Sequence, residues 1–121
     1  MMDQPSILEL VDAVRAFLEE RAMPELKGHT AFHARVAANA LGIVSRELTL
    51  GPGFAAAERK QLTDLLELDA PIDTLARELC RRIRSGEIDL QTPGLREYLV
   101  DATRNKVAID QPHYSGLKQN G

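Results

Sequence analysis

Between Ser6 and Ala22 the apolar positions recur at a helical interval. Ile7, Val11, Val14 and Leu18 fall on one line, with Leu10 and Phe17 beside it. Glu9, Asp12, Glu19 and Glu20 point elsewhere. Such a stripe predicts an amphipathic helix. Ser6 followed three residues later by Glu9 gives it a capping box. Pro24 and Gly28 then break the pattern.

Four further helices are predicted. The second is "AFHARVAANALGIVSREL", residues 31–48, with Thr30 as its N-cap; it ends before "GPG" at Gly51–Gly53, where proline cannot continue a helix. The third runs from about Phe54 to Leu68 and carries Leu62, Leu65, Leu66 and Leu68. "DAP", Asp69–Pro71, separates it from the fourth, Ile72 to Ser85. There Ile72, Leu75, Leu79 and Ile83 line up, and Gly86 stands at the C-cap position. "EIDLQ" reads as a short connector. Thr92 and Pro93 form a cap and first-position pair for the fifth helix. Its face is Leu95, Tyr98, Leu99, Ala102 and Ile109, and Pro112 stops it. No segment alternates at period two. The pattern predicts an all-α, single-domain bundle of about five helices over residues 1–121, with residues 113–121 as a frayed tail.

The second helix is apolar over most of its circumference, so the wheel places it at the centre. Phe32, Val36 and Ile43 form one side; His33, Ala37, Ala40 and Val44 adjoin it; Ala34, Ala38, Leu41 and Leu48 cover the back. Only Arg35, Gly42 and Arg46 make a polar strip. Phe32, Val36, Ala37, Ala40, Ile43 and Val44 are therefore expected to be buried. Asn39 would then need hydrogen-bond partners, because an unpaired buried amide costs about 1–3 kcal/mol. Two roles remain for His33, Arg35 and Asn39. His33 and Asn39 are satisfied polar groups that fix helix packing, the commoner case, or the three residues line a small pocket near the bundle axis.

Composition narrows the function classes. The chain has 121 residues, a hydrophobic fraction of 44% and a charged fraction of 27%, as a soluble domain does. Aromatic residues are 4% and Trp is absent, so aliphatic side chains must fill the core. A net charge of −3 weighs against a nucleic-acid partner. The single cysteine, Cys80, forms no internal disulfide and fits a reducing, cytoplasmic compartment. No basic-then-apolar leader is visible, and no run of about 18 apolar residues that would cross a membrane.

Chemical motifs are weak. His29 and His33 are four residues apart, a spacing that can hold a metal, but Thr30 stands where the zinc-protease pattern requires Glu. No metal, cofactor or catalytic residue is expected. Cys80 borders an apolar stripe, where a thiol usually acts as a small hydrophobe. "GPG" lacks the Lys and Ser/Thr of a phosphate loop. The basic run "RRIR" is more informative. Arg77, Arg81 and Arg84 fall opposite Leu75, Leu79 and Ile83. They form either a solvated face that complements the helix dipole or a docking surface for an acidic partner or a phosphate group.

"FHARVAANALGIVSREL", "LGPG", "LCRRIRSGEIDL" and the ending "VAIDQPHYS" resemble a small bacterial family of uncharacterised helical domains. The resemblance covers Pro5 to Ser115; Gln111 departs from the family's usual asparagine before Pro112. It implies no catalytic residues. It implies genes placed beside aminoglycoside-phosphotransferase-like kinases and acyl-CoA dehydrogenase-like flavoproteins. The expected function is a cytoplasmic, non-catalytic accessory protein that binds a protein of one of those kinds. Self-association is left open. The alternative is a small-molecule-binding bundle with its pocket at His33, Arg35 and Asn39.

Overall fold

The structure, a computed structural model, describes residues 4–117. All regular elements among them are helical: α1 (Ile7–Phe17), a π-helical turn (Leu18–Ala22), α2 (Met23–Glu25, one turn), α3 (Gly28–Leu66), α4 (Ile72–Ser85), α5 (Leu95–Asp110) and a 3₁₀ turn (Ser115–Leu117). The protein is all-α. Its contacts fall into two compact units, Met1–Gly51 and Pro52–Gly121.

The predicted second and third helices are one helix. α3 runs unbroken for 39 residues, with Pro52 inside it. The described residues therefore hold four helices longer than one turn, not five. The "GPG" signal is still physical: the division between the two units falls at Gly51 and Pro52. A proline removes one i→i−4 bond and crowds one carbonyl, and enough flanking helix can absorb that.

In the first unit, α1 begins as its capping box predicts. Ser6 Oγ accepts from the Glu9 N–H at 3.1 Å, and Glu9 Oε1 accepts from the Ser6 N–H at 3.1 Å. After α2 the chain reverses, and Gly28 at φ 63° supplies a left-handed residue. Two contacts set the pairing of α1 with α3. Ser45 Oγ donates to Asp12 Oδ1 at 2.8 Å, and the Arg15 guanidinium lies over Gly42. Positions rise on α1 as they fall on α3, so the pair is an antiparallel hairpin.

The side of α3 that faces inward is not the expected one. Ala34, Ala38 and Gly42 are buried, at i, i+4 and i+8. Phe32, Val36, Ala37, Ala40 and Val44 are exposed and Ile43 is half-buried. The expectation of a buried Phe32–Val44 face is thereby corrected. Small side chains let two helix backbones approach closely, so the packed face is selected by size rather than by hydrophobicity.

The second unit follows the sequence pattern more closely. Its core is Leu62, Leu66, Leu75, Leu79, Ile88, Leu95 and Tyr98, with Leu65, Ala70 and Ala102 packed against it. α4 has the predicted ends, and Gly86 caps it at φ 84°. Ile83 and Leu99, expected inward, are 42% and 41% exposed. Ile88, from the "EIDLQ" connector, is buried in their stead. α5 starts at Leu95 with Gly94 as N-cap at φ 96°, not at Thr92. Thr92 closes the preceding turn, where its Oγ1 accepts from the Asp89 N–H at 3.0 Å. Of the expected frayed tail, His113–Leu117 ends in the 3₁₀ turn, and residues 118–121 lie outside the described residues.

Candidate functional site

His33, Arg35 and Asn39 are all exposed on α3. At about 100° per residue, Arg35 and Asn39 are neighbours while His33 points roughly 120–160° away from them. The structure does not bring the three together. Asn39 is not the buried, hydrogen-bonded amide that was expected, because water reaches it. His33 instead packs edge-on against Phe32, with ring centroids 5.5 Å apart. His29 is also exposed. Among the described residues no three His, Cys, Asp or Glu side chains are grouped as a metal site.

Arg77, Arg81 and Arg84 are exposed on α4, as the pattern predicts. Arg81, however, is already engaged. Its guanidinium donates to Glu78 at 2.7 Å and to Glu87 at 3.3 Å. Sequence reasoning missed Arg82, which is half-buried and donates to Glu78 at 3.0 Å and to the Leu66 carbonyl at 3.1 Å. It ties α4 to the last turn of α3. The hydrogen bonds from Arg81 and then Arg82 hold the Glu78 carboxyl down at about 2. The stripe is thus partly neutralised within its own unit.

This arrangement gives a pH prediction. The folded-state value of Glu78 lies below that of an ordinary carboxylate, so its contribution to stability is present above about 4.5 and is lost as pH falls towards about 2. A carbon-detected NMR titration should place the Glu78 midpoint near 2. A midpoint at the ordinary glutamate value would show that the ion-pair cluster does not persist in solution.

Tyr98 makes another part-buried polar contact. Its hydroxyl donates to Glu58 Oε2 at 2.6 Å. Burial, then the adjacent carboxylate, push its pKa up. Both effects favour the neutral phenol, so Tyr98 serves as a hydrogen-bond donor that joins α5 to α3.

The feature that stands out is apolar. α1 buries none of its residues. Ile7, Leu10, Val14 and Phe17 are 69%, 52%, 51% and 59% exposed. Their spacing of three, four and three is the a/d repeat of a coiled-coil seam. On α3, Phe32, Val36, Ala40, Val44 and Leu48 form one i, i+4 ridge, and all are exposed. Helix ridges of this kind pack into the grooves of other helices. Turning from the Asp12–Ser45 contact at about 100° per residue puts Ile7, Leu10, Val14 and Phe17 about 140–160° from it, so the seam faces away from α3. Three shallow hollows accompany these helices; two, lined mainly by charged residues of α1 and the π-helical turn, lie in the first unit, and one lies beside Leu65 and Gly94 in the second.

Fold and surface together define an all-helical protein with an exposed apolar seam on α1. The chain belongs to the DUF6285 family, a domain of unknown function, whose sequence model matches residues 24–114. The matched segment includes the whole of α3, α4 and α5 and begins after α1. Comparison with curated proteins and with solved structures gives no significant match. No helix among the described residues is long and apolar enough to cross a membrane.

Proposed function

We propose that the chain is a non-catalytic helical interaction protein whose binding face is the apolar seam of α1. The observation that supports this reading is the exposed apolar seam of α1, formed by Ile7, Leu10, Val14 and Phe17. A contiguous apolar surface of this kind on a water-facing protein marks a site of association. A helix-in-groove or helix-on-helix mode suits it, with anchors at i, i+3, i+4 and i+7. The resemblance set out from the sequence suggests a client among phosphotransferase-like kinases or acyl-CoA dehydrogenase-like enzymes, in the cytoplasm. The Arg77–Arg84 stripe on α4 is a secondary contact at most, because Arg81 spends its fork on Glu78 and Glu87.

The test compares the wild-type chain with the double variant Leu10→Glu, Phe17→Glu. Both residues are exposed, so helical circular dichroism should be unchanged. A native partner identified by mass spectrometry should accompany the wild type and be lost from the variant. Recovery of the same proteins in equal yield with both chains would overturn the reading.

A further inference from the structure

We infer that Gly51, Pro52 and Gly53 are a hinge: α3 passes between the continuous helix and a form opened at these three residues. The hinge is independent of what the α1 seam binds. Three observations carry it.

The first is that the continuous helix makes no use of the two glycines. At four other glycines a use is visible. Gly28, Gly86 and Gly94 hold a positive φ, and Gly42 lies under the Arg15 guanidinium. Gly51 and Gly53 have neither reason. Their φ is not positive. A Cβ at Gly53 would meet nothing within 4 Å, and one at Gly51 would meet only the flexible Glu47 side chain, 3.1 Å from its carboxylate. Alanine therefore fits both positions. Glycine is the poorer helix former, because its backbone loses more freedom on ordering. Its advantage lies in a second backbone conformation, which a residue with a Cβ enters less readily.

The second is the proline between them. Pro52 stands inside α3. It offers the Leu48 carbonyl no N–H, and its ring crowds that carbonyl. Proline is a usual site of sharp helix bending, and here a glycine flanks it on each side.

The third is the lack of support around the segment. Thr49, Leu50, Pro52, Gly53, Ala55, Ala56 and Ala57 are exposed, and Gly51 and Phe54 are only half-buried. One compact unit ends at Gly51 and the next begins at Pro52. Further out the helix is held on both sides. Ser45 is bonded to Asp12, and Leu62 and Leu66 lie in the leucine core. Segments with few buried contacts open first, and a hinge is a few residues, often small, that absorb the change in φ and ψ.

Double electron–electron resonance on the full chain tests the hinge. Cys80, the one cysteine of the chain, is exposed and is replaced by serine. Nitroxides are placed through Ala40→Cys and Asp64→Cys, both exposed and equally distant from Pro52 along α3. At 1.5 Å per residue these positions are about 36 Å apart in the continuous helix, and a bend of about 70° at Pro52 shortens the span to about 30 Å. The wild-type segment should give two distances, one near 36 Å and one at least about 5 Å shorter. The triple variant Gly51→Ala, Pro52→Ala, Gly53→Ala should give the longer distance alone. Gly51→Ala with Gly53→Ala, Pro52 retained, should lower the shorter population at least 5-fold. A single narrow distance in the wild type would overturn the hinge, since a long one means a rigid helix and a short one a fixed proline kink. A shorter population that persists in the triple variant, or that is unmoved by removal of the two glycines, would overturn it as well.

Discussion

Leu75→Ala should destabilise the second unit by about 2–5 kcal/mol, the range found for truncating fully buried leucines. Leu75 is 0% exposed, as is Leu62 on α3. It lies one turn ahead of Leu79 on the apolar face of α4, in the cluster that gathers Leu66, Ile88, Leu95 and Tyr98. Deleting three carbons there removes buried apolar surface and leaves a cavity that rigid helices close only in part. The helices cannot easily slide inward, because Arg82 pins α4 to the Leu66 carbonyl and Tyr98 pins α5 to Glu58. Urea unfolding followed at 222 nm reads the effect as a lower midpoint. A change below about 0.5 kcal/mol, the usual size of a surface effect, would contradict the placement of this core.

Pro52→Ala should act in the opposite direction. Pro52 stands inside α3 and has no N–H to give the Leu48 carbonyl. A proline in a helix interior is about 3 kcal/mol less favourable than alanine. The backbone already follows the helix on both sides, so alanine needs no rearrangement to restore the missing bond. The expected result is a gain of up to about 3 kcal/mol, seen as a higher thermal midpoint and slower amide exchange around Gly53–Ala56. A loss of stability on making this change would mean that the helix does not run through Pro52 in solution.

The two units differ in how much of them the sequence discloses. In the second, large aliphatic residues recur at helical spacing with polar residues between them, and Leu62, Leu66, Leu75, Leu79, Leu95 and Tyr98 face inward as that pattern requires. Ile88 escaped because the two apolar residues of a short connector, Ile88 and Leu90, show no periodicity that tells which of them is buried. In the first unit the wheel of residues 31–48 is apolar nearly all round, so hydrophobicity cannot select a face. Ala34, Ala38 and Gly42 are chosen because they are small, a criterion the wheel does not weigh. The seam of α1 was legible as a stripe, but a stripe does not reveal whether its cover lies in the same chain. Continuity through Pro52 was hidden for another reason. Glycine and proline are strong local terminators, and only the sum of the flanking turns outweighs them. At the candidate sites, the outward aim of Arg77, Arg81 and Arg84 follows from the leucines opposite. The capture of Arg81 by Glu87 depends on how the chain turns after Gly86, which spacing alone does not give.

The alanine-and-glycine contact between α1 and α3 also decides how the molecule breathes. Closing that contact removes little surface from water, since Ala34, Ala38 and Gly42 have almost no side chain to hide. The leucine cluster of the second unit hides large side chains completely, with Leu62 and Leu75 at 0% exposed. Opening free energies within one protein range from near zero to the global value, according to how much each segment buries. α1 therefore occupies a low rung of that ladder and can swing away from α3 while Leu62 and Leu75 remain locked. An arm that detaches at small cost can meet its partner surface before the hairpin has fully closed.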